Sequence, residues 1–147
     1  MKVYLDNCCY NRPFDTQDGD TIIFESIAKM SIQRLITNQK IVLVHSIVLL
    51  EEIYNNPFKY KKEQILGFLS NSKIYVGEDK RSEISIYATE IMKTGIKYMD
   101  AAHISAAIIA QCDFLITTDK KLLNYKSDKI IVINPIDFIR MWESKNA

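Results

Sequence analysis

The fold is decided by residues 97–119, which read KYMDAAHISAAIIAQCDFLITTD. Asp100 begins a predicted helix composed mainly of Ala, Ile and Ser, and residues 111–113 end it. Residues 114–117 then read as a short buried strand, with Asp119 just past its C-terminal end. In parallel α/β sheets, helix N-termini and strand C-termini meet at the edge where binding sites form. The stretch therefore predicts two carboxylates at one site.

The composition is that of an ordinary globular protein. The chain has 147 residues, 48% of them hydrophobic and 25% charged, which predicts a single domain spanning residues 1–147. The net charge of +1 excludes a generally basic surface, so nucleic acid would have to bind a local patch. The longest apolar run, residues 41–50, is too short to span a bilayer, and Asp6 comes too early for a secretory signal. We expect a cytoplasmic protein without a membrane partner.

The cysteines and histidines exclude two common kinds of site. Cys8, Cys9 and Cys112 are odd in number and form no Cys-x-x-Cys pair, which predicts free thiols in a reducing compartment. The two histidines lie far apart in sequence, so the usual ligand spacing of a structural zinc site is missing. No residue is predicted to bind an organic cofactor.

Strands and helices alternate along the rest of the chain. Thr21 is predicted to cap a helix that ends near Thr37 and buries a stripe of Phe24, Ile27, Ala28, Ser31 and Leu35. Before it, Asn11 and Pro13 argue against regular structure. The predicted strands are residues 2–5, 40–44, 73–76, 114–117 and 129–133. This alternation predicts an α/β fold with a parallel sheet covered by helices on both faces.

Four acids are predicted to converge on the carboxyl edge of that sheet. Asp6 follows the first strand, Glu52 lies two turns into the helix after the second, and Asp100 and Asp119 flank the fourth. At about 4 Å, two like charges repel by roughly 4 kcal/mol at an intermediate dielectric, so a divalent cation would stabilise such a cluster. Oxygen ligands favour magnesium or manganese, and a metal of this kind suits phosphodiester hydrolysis.

Four short motifs in this order carry a family resemblance: VYLD at 3–6, LLEEI at 49–53, DAAHI at 100–104 and LITTD at 115–119. Over nearly its whole length the chain resembles the PIN-domain ribonucleases, which include the toxin components of many bacterial toxin–antitoxin pairs. The resemblance implies a three-layer α/β/α fold with a central five-stranded parallel sheet in the order 3-2-1-4-5. It also implies a metal-dependent endoribonuclease.

The resemblance assigns roles to particular residues. Asp6, Glu52, Asp100 and Asp119 would be catalytic and hold Mg²⁺ or Mn²⁺, and Thr117 would be a catalytic residue beside them. The implied partners are an RNA substrate and a small antitoxin protein, and a homodimer is left open. Glu51 is an alternative to Glu52, from which it differs by one position in LLEEI.

Ordinary explanations compete with these roles. Asp100 is equally suited to capping its helix, Glu52 to an exposed helix face, and Asp6 to a turn. His103 is predicted to be either a packed histidine or a substrate contact. Lys120 and Lys121 stand where the family often has a further acid, and they are read as phosphate contacts or a solvated pair.

One aromatic and basic segment is a candidate RNA contact. Arg12, with Tyr10 and Phe14, follows the first strand and is able to pair with phosphate or stack on bases.

Two other functions fit parts of the pattern. A metal-dependent phosphatase also places Asp after the first strand, but the haloacid-dehalogenase type has a second Asp two residues later, where this chain has Cys8. A non-catalytic PIN-like domain that binds RNA or protein is the other alternative.

Overall fold

The computed structural model describes residues 1–146, and its centre is one five-stranded sheet. The strands are β1 (Lys2–Leu5), β2 (Val42–Ser46), β3 (Ile74–Val76), β4 (Phe114–Ile116) and β5 (Ile131–Ile133). They lie in the order β3-β2-β1-β4-β5, and every neighbouring pair is parallel. The predicted sheet and its strand order are confirmed.

Helices connect the strands and cover the sheet. They are α1 (Asn7–Asn11), α2 (Asp20–Thr37), α3 (Ile47–Tyr54), α4 (Lys59–Phe68), α5 (Arg81–Met92), α6 (Tyr98–Ile109), α7 (Lys120–Leu123) and α8 (Pro135–Lys145). Short 3-10 turns are formed by Arg12–Phe14, Leu69–Asn71 and Glu78–Lys80. None of the helices in residues 1–146 is both long and apolar enough to cross a membrane.

The sheet separates two hydrophobic cores, as alternating strand residues require. On β1, Tyr4 packs into one core with α5 and α6, whereas Val3 and Leu5 pack into the other with α2, α3 and α8. Both strand faces are therefore buried, and the predicted three-layer α/β/α arrangement is confirmed.

Main-chain pairing continues one residue past the central strands and sets the position of the carboxyl edge. The amide of Asp6 donates to the carbonyl of Ile116 at 3.3 Å, and the amide of Thr117 donates to the carbonyl of Ile133 at 3.0 Å. Since β1 lies between β2 and β4, the residues that follow these three strands meet at one edge.

The segment after β1 differs from the expectation of irregular structure. Residues 7–11 form helix α1, which Asp6 caps by accepting a hydrogen bond from the amide of Cys9 at 3.0 Å. Asn11 ends this helix, and Pro13 lies in the 3-10 turn that follows, where its missing amide hydrogen costs nothing. The cap decides the structure here because an Asp in extended conformation satisfies the first free amides.

The predicted buried stripe of α2 is confirmed only in part, since Ala28 is buried and Ser31 and Leu35 are partly buried. The helix begins at Asp20 after the N-cap Gly19 instead of after Thr21, and Phe24 and Ile27 are 56% and 59% exposed. The buried face consists of Glu25, Ala28, Lys29, Ile32 and Ile36. Two charged residues are thus buried on α2 in place of apolar ones. Arg12 pairs with Glu25, and aromatic rings lie next to Lys29, which makes their burial possible.

Candidate active site

Asp6 lies at the centre of the carboxyl edge and is only 2% exposed. Its Oδ1 accepts from the amide of Cys9 at 3.0 Å, and its Oδ2 accepts from Thr117 Oγ1 at 2.6 Å. Burial raises the pKa of Asp6 to about 6, although these hydrogen bonds and the nearby His103 oppose the shift. The carboxylate is thus held in one orientation but remains costly to ionise.

Thr117 connects two of the predicted site residues. Its fully buried hydroxyl donates to the Asp6 carboxylate and accepts from the amide of Asp119 at 3.0 Å. The family resemblance predicted Thr117 as a catalytic residue beside the acids. In the structure the hydroxyl orients the side chain of Asp6 and the main chain of Asp119.

Asp119 caps the short helix α7. Its Oδ1 accepts from the amide of Lys121 at 2.8 Å, which leaves the side chain partly exposed. Lys120 and Lys121 are exposed, and neither forms an ion pair with any of the described residues.

Asp100 does not cap its helix. Helix α6 begins at Tyr98 after the N-cap Lys97, so Asp100 is the third helical residue and is partly exposed. Partial burial, followed by the charge of Asp119 and then that of Glu52, raises the pKa of Asp100. The capping explanation is therefore wrong for this residue, and the acids are close enough to act on one another electrostatically.

Glu52 is held by a buried chain of polar groups. It contacts Nε2 of His103, which is 2% exposed, and Nδ1 of His103 lies 2.6 Å from the hydroxyl of Tyr4. The Tyr4 hydroxyl is in turn 2.6 Å from Oγ of Ser46, which accepts from the amide of Leu49 at 3.2 Å. One hydrogen-bond pattern satisfies every group, with Ser46 donating to Tyr4, Tyr4 to Nδ1, and Nε2–H to Glu52.

The choice between the adjacent acids of α3 follows from their surroundings. Glu51 is exposed and pairs with Arg81, which also binds Glu78. Glu52 faces the sheet edge and contacts His103. Glu52 is thus the better placed candidate, and His103 is a packed histidine whose contact is another site residue.

The four acids do not form a ready-made metal cage. In residues 1–146, no group of three or more His, Cys, Asp or Glu side chains is arranged to hold a metal ion. The predicted carboxylate cluster is therefore absent as a closed ligand set, because Asp6, Glu52 and Asp119 each contact a protein group.

The charges of all four acids nevertheless act on one residue of α1, Cys8. Partial desolvation, and then the charges of Asp6, Asp119, Asp100 and Glu52, raise the pKa of the Cys8 thiol to about 12. All four acids that the sequence predicted for the site therefore contribute to the raised pKa of this one thiol.

In the segment predicted to contact RNA, Arg12 and Tyr10 already make contacts within the protein. Arg12 pairs with Asp15 at 3.0 Å and with Glu25 at 3.2 Å, and Tyr10 is fully buried. Tyr10 is therefore unable to stack on a base, and Arg12 already has two carboxylate partners. Phe14 is partly exposed and packs edge-on against Tyr60.

The residues that form hydrogen bonds within this site are far apart in the sequence. Thr117 and Asp6 are 111 residues apart, and His103 and Glu52 are 51 apart. Two local signals pointed toward these partners: His103 lies one helical turn after Asp100, and Thr117 lies two residues before Asp119.

Comparisons with known proteins bear on the fold. No family model matches the sequence, and no curated protein matches it significantly. The chain is similar to the crystal structure of VapBC2 from Rickettsia felis bound to a DNA fragment from their promoter, with 20% identity and a TM-score of 0.56. That match covers 91% of this chain and 98% of the other.

A second similar structure is PAE2754 from Pyrobaculum aerophilum, with 14% identity and a TM-score of 0.54. The match covers 99% of both chains. Identities this low bear on the fold alone. Together with the strand order, they lead to one conclusion: the chain has the PIN-domain fold.

Proposed function

We propose that this protein is a metal-dependent endoribonuclease that hydrolyses RNA phosphodiester bonds with Mg²⁺ or Mn²⁺. The observation that carries the proposal is the hydroxyl of Thr117, which contacts both Asp6 and Asp119 at the carboxyl edge of a PIN-type sheet, together with the contact of Glu52 to His103, one helical turn after Asp100. The crowding of negative charge at this edge would disfavour an RNA phosphate unless a cation were bound there.

The donor atoms fit such a cation. All four side chains offer carboxylate oxygens, the ligands that magnesium and manganese prefer. Magnesium commonly keeps several waters and binds only one or two carboxylates directly, so an open ligand set is compatible with it. When bound, the metal would activate a water and stabilise charge on the phosphate oxygens.

The chain's own residues would prepare this site. Thr117 would keep the Asp6 carboxylate fixed, and His103 would hold Glu52 toward the same edge. Such partners commonly matter because they set the orientation of a ligand and its basicity. Lys120 and Lys121, both exposed, would attract the RNA backbone as point charges.

The test is cleavage of a labelled RNA pool by the full chain with Mg²⁺, with Mn²⁺ and with excess EDTA. We expect cleavage only with metal, and its loss in Asp100→Asn. Asp128→Asn is the matched control, because Asp128 is an exposed acid that belongs to none of the four motifs. Undiminished cleavage in EDTA, or equal cleavage by Asp100→Asn, would overturn the proposal.

A non-catalytic PIN-like domain is the second candidate, and the missing three-ligand group in residues 1–146 favours it. This candidate predicts RNA or protein binding without cleavage at any metal concentration. RNA binding that persists in EDTA, with no product formed in Mg²⁺ or Mn²⁺, would identify it.

We further propose a cytoplasmic toxin paired with a small antitoxin protein. The family resemblance and the similarity to VapBC2 support this assignment. The three cysteines are free, which fits a reducing compartment. Co-expression with the product of a short neighbouring reading frame should abolish cleavage, and a mixture in which cleavage continues would contradict the pairing.

A further inference from the structure

A second pocket lies away from the four acids. It is a cavity of about 230 Å³ between the 3-10 turn Arg12–Phe14, α2 and α4. Aromatic rings of Tyr10, Phe14 and Phe68 line it, together with Lys29 and the amides of Gln33 and Gln64. None of the acids assigned to the candidate active site contributes to its walls.

Lys29 is the unusual residue of this pocket. It is only 5% exposed, yet it takes part in none of the ion pairs formed by the described residues. Its Nζ contacts Oε1 of Gln33 and lies 5.4 Å and 5.6 Å from the ring centroids of Tyr10 and Phe68. Aromatic faces compensate a cation in part, but buried charges ordinarily have a counter-charge.

Tyr10 contributes a second unmatched polar group. The side chain is fully buried, and its hydroxyl has no hydrogen-bond partner among the described residues. The equally buried Tyr4 has two partners for its hydroxyl, Ser46 and His103. An unpaired buried donor is costly, but the Tyr10 hydroxyl has no accessible surface, so Lys29 is the polar group of this pocket that lacks a counter-charge and that a ligand would reach.

We propose that this pocket binds a small aromatic carboxylate. The carboxylate would pair with the Lys29 ammonium, and its ring would pack against Phe14 and Phe68. The site is separate from the nuclease assignment and does not depend on it.

The size and walls of the pocket select this ligand class. A cavity of about 230 Å³ is smaller than the roughly 300–1,000 Å³ of sites for drug-sized ligands, which suits one ring with a short acidic arm. Inorganic phosphate would satisfy Lys29 but would leave the aromatic walls without a partner. A neutral aromatic molecule would fill the walls but leave the cation unpaired.

The same chemistry is also available on a polypeptide, as a carboxylate beside an aromatic side chain. We assign the pocket to the free acid because its volume matches a single ring, whereas a peptide would also need space for its backbone.

The test uses the full chain with phenylacetate as the probe, followed by calorimetry and by NMR of the aromatic rings. We expect phenylacetate to bind and to shift the resonances of Tyr10, Phe14 and Phe68. Phenylacetamide and acetate should bind at least about tenfold more weakly, since each lacks one half of the recognised chemistry.

Two variants localise the binding. Lys29→Met should weaken phenylacetate binding by about tenfold or more, while Lys40→Met, which replaces an exposed lysine, should leave it unchanged. Lys29→Gln keeps a polar side chain and removes the charge, so it serves if Lys29→Met fails to fold. It should weaken phenylacetate binding by about tenfold without changing binding of phenylacetamide.

Three results would overturn the assignment. They are no binding of phenylacetate at millimolar concentrations, equal binding of phenylacetate and phenylacetamide, and binding that neither variant weakens. A capped Phe-Glu peptide is the further arm, and binding of this peptide in place of phenylacetate would show that the pocket recognises a polypeptide.

Discussion

Asp6 and Lys29 are both buried, and both side chains are normally charged at neutral pH. The groups that contact them differ. Asp6 accepts two hydrogen bonds, and the charge of Asp100 acts on it at the carboxyl edge. Lys29 contacts one amide and two aromatic rings, and no carboxylate pairs with it among the described residues.

The two residues show that burial has opposite effects on an acid and a base. Burial raises the pKa of Asp6 to about 6 and lowers the pKa of Lys29 to about 8. In each case burial disfavours the charged form. The ionised carboxylate of Asp6 and the protonated amine of Lys29 therefore both oppose folding near pH 7. A ligand of opposite charge would relieve either cost, a cation at the acids and an anion at Lys29.

The largest expected effect is on cleavage by the acid-bearing edge. Asp119→Asn should reduce RNA cleavage by more than roughly 100-fold. Mutation of residues that only hydrogen-bond to metal ligands commonly lowers activity by about 10–100-fold, and loss of a ligand should have a larger effect. Initial rates in Mg²⁺ would measure the loss. Asp128→Asn should retain the parent rate, and similar rates for all three proteins would remove Asp119 from the site.

The next effect concerns Lys29 and the high-pH range. The folded protein releases the Lys29 proton near pH 8 but the unfolded chain near 10.5, so stability should rise with pH between these values. Relative to Lys29→Met, the parent should gain about 2–3 kcal/mol in free energy of unfolding between roughly pH 7 and 10. Urea titrations at several pH values would measure the difference, with Lys40→Met as control. Parallel profiles for parent and Lys29→Met would contradict a buried charge.

Asp6 should show the opposite dependence at low pH. Its folded pKa of about 6 exceeds the ordinary 3.8, so the folded state binds the proton more tightly and stability falls as pH rises between these values. In EDTA, the parent should lose about 2–3 kcal/mol relative to Asp6→Asn across this window. Asn is able to keep the helix cap, which limits structural damage. Asp18→Asn, at an exposed site, should follow the parent, and a flat difference between parent and Asp6→Asn would show that Asp6 ionises normally.

The smallest effect compares two buried tyrosines. Tyr4→Phe removes a hydroxyl with two partners and should destabilise the fold by about 1–2 kcal/mol. Tyr10→Phe removes a hydroxyl without a partner among residues 1–146 and should be neutral or stabilise by up to about 1 kcal/mol. Urea unfolding of both variants measures the contrast. Equal losses would mean that the Tyr10 hydroxyl has a partner in solution.

The sheet was predictable because its pattern is strong and its topology is constrained. β1 and β4 are short apolar runs with an acid close behind, and right-handed crossovers leave few arrangements for alternating strands and helices. The rule that sites form at the carboxyl edge then placed Asp6, Asp100 and Asp119 on the same side.

The failures share a physical cause. On α2, two overlapping faces fit the helical period, and apolar counting selected the one with Phe24 and Ile27. Periodicity does not reveal that Arg12 neutralises Glu25 or that rings receive Lys29, since those partners come from other elements. The hydrogen bonds of Thr117 and His103 were hidden for the same reason.

Cys8 gives the crowded acids a chemical consequence. Cys8 is an exposed residue, but partial desolvation of its thiol, followed by the surrounding negative charge, raises its pKa to about 12. Since the thiolate is the nucleophile, Cys8 should react slowly with alkylating agents and resist oxidation despite its accessibility. Any cation that settles among the four carboxylates would lower that pKa and speed alkylation, which makes Cys8 a built-in reporter of local charge.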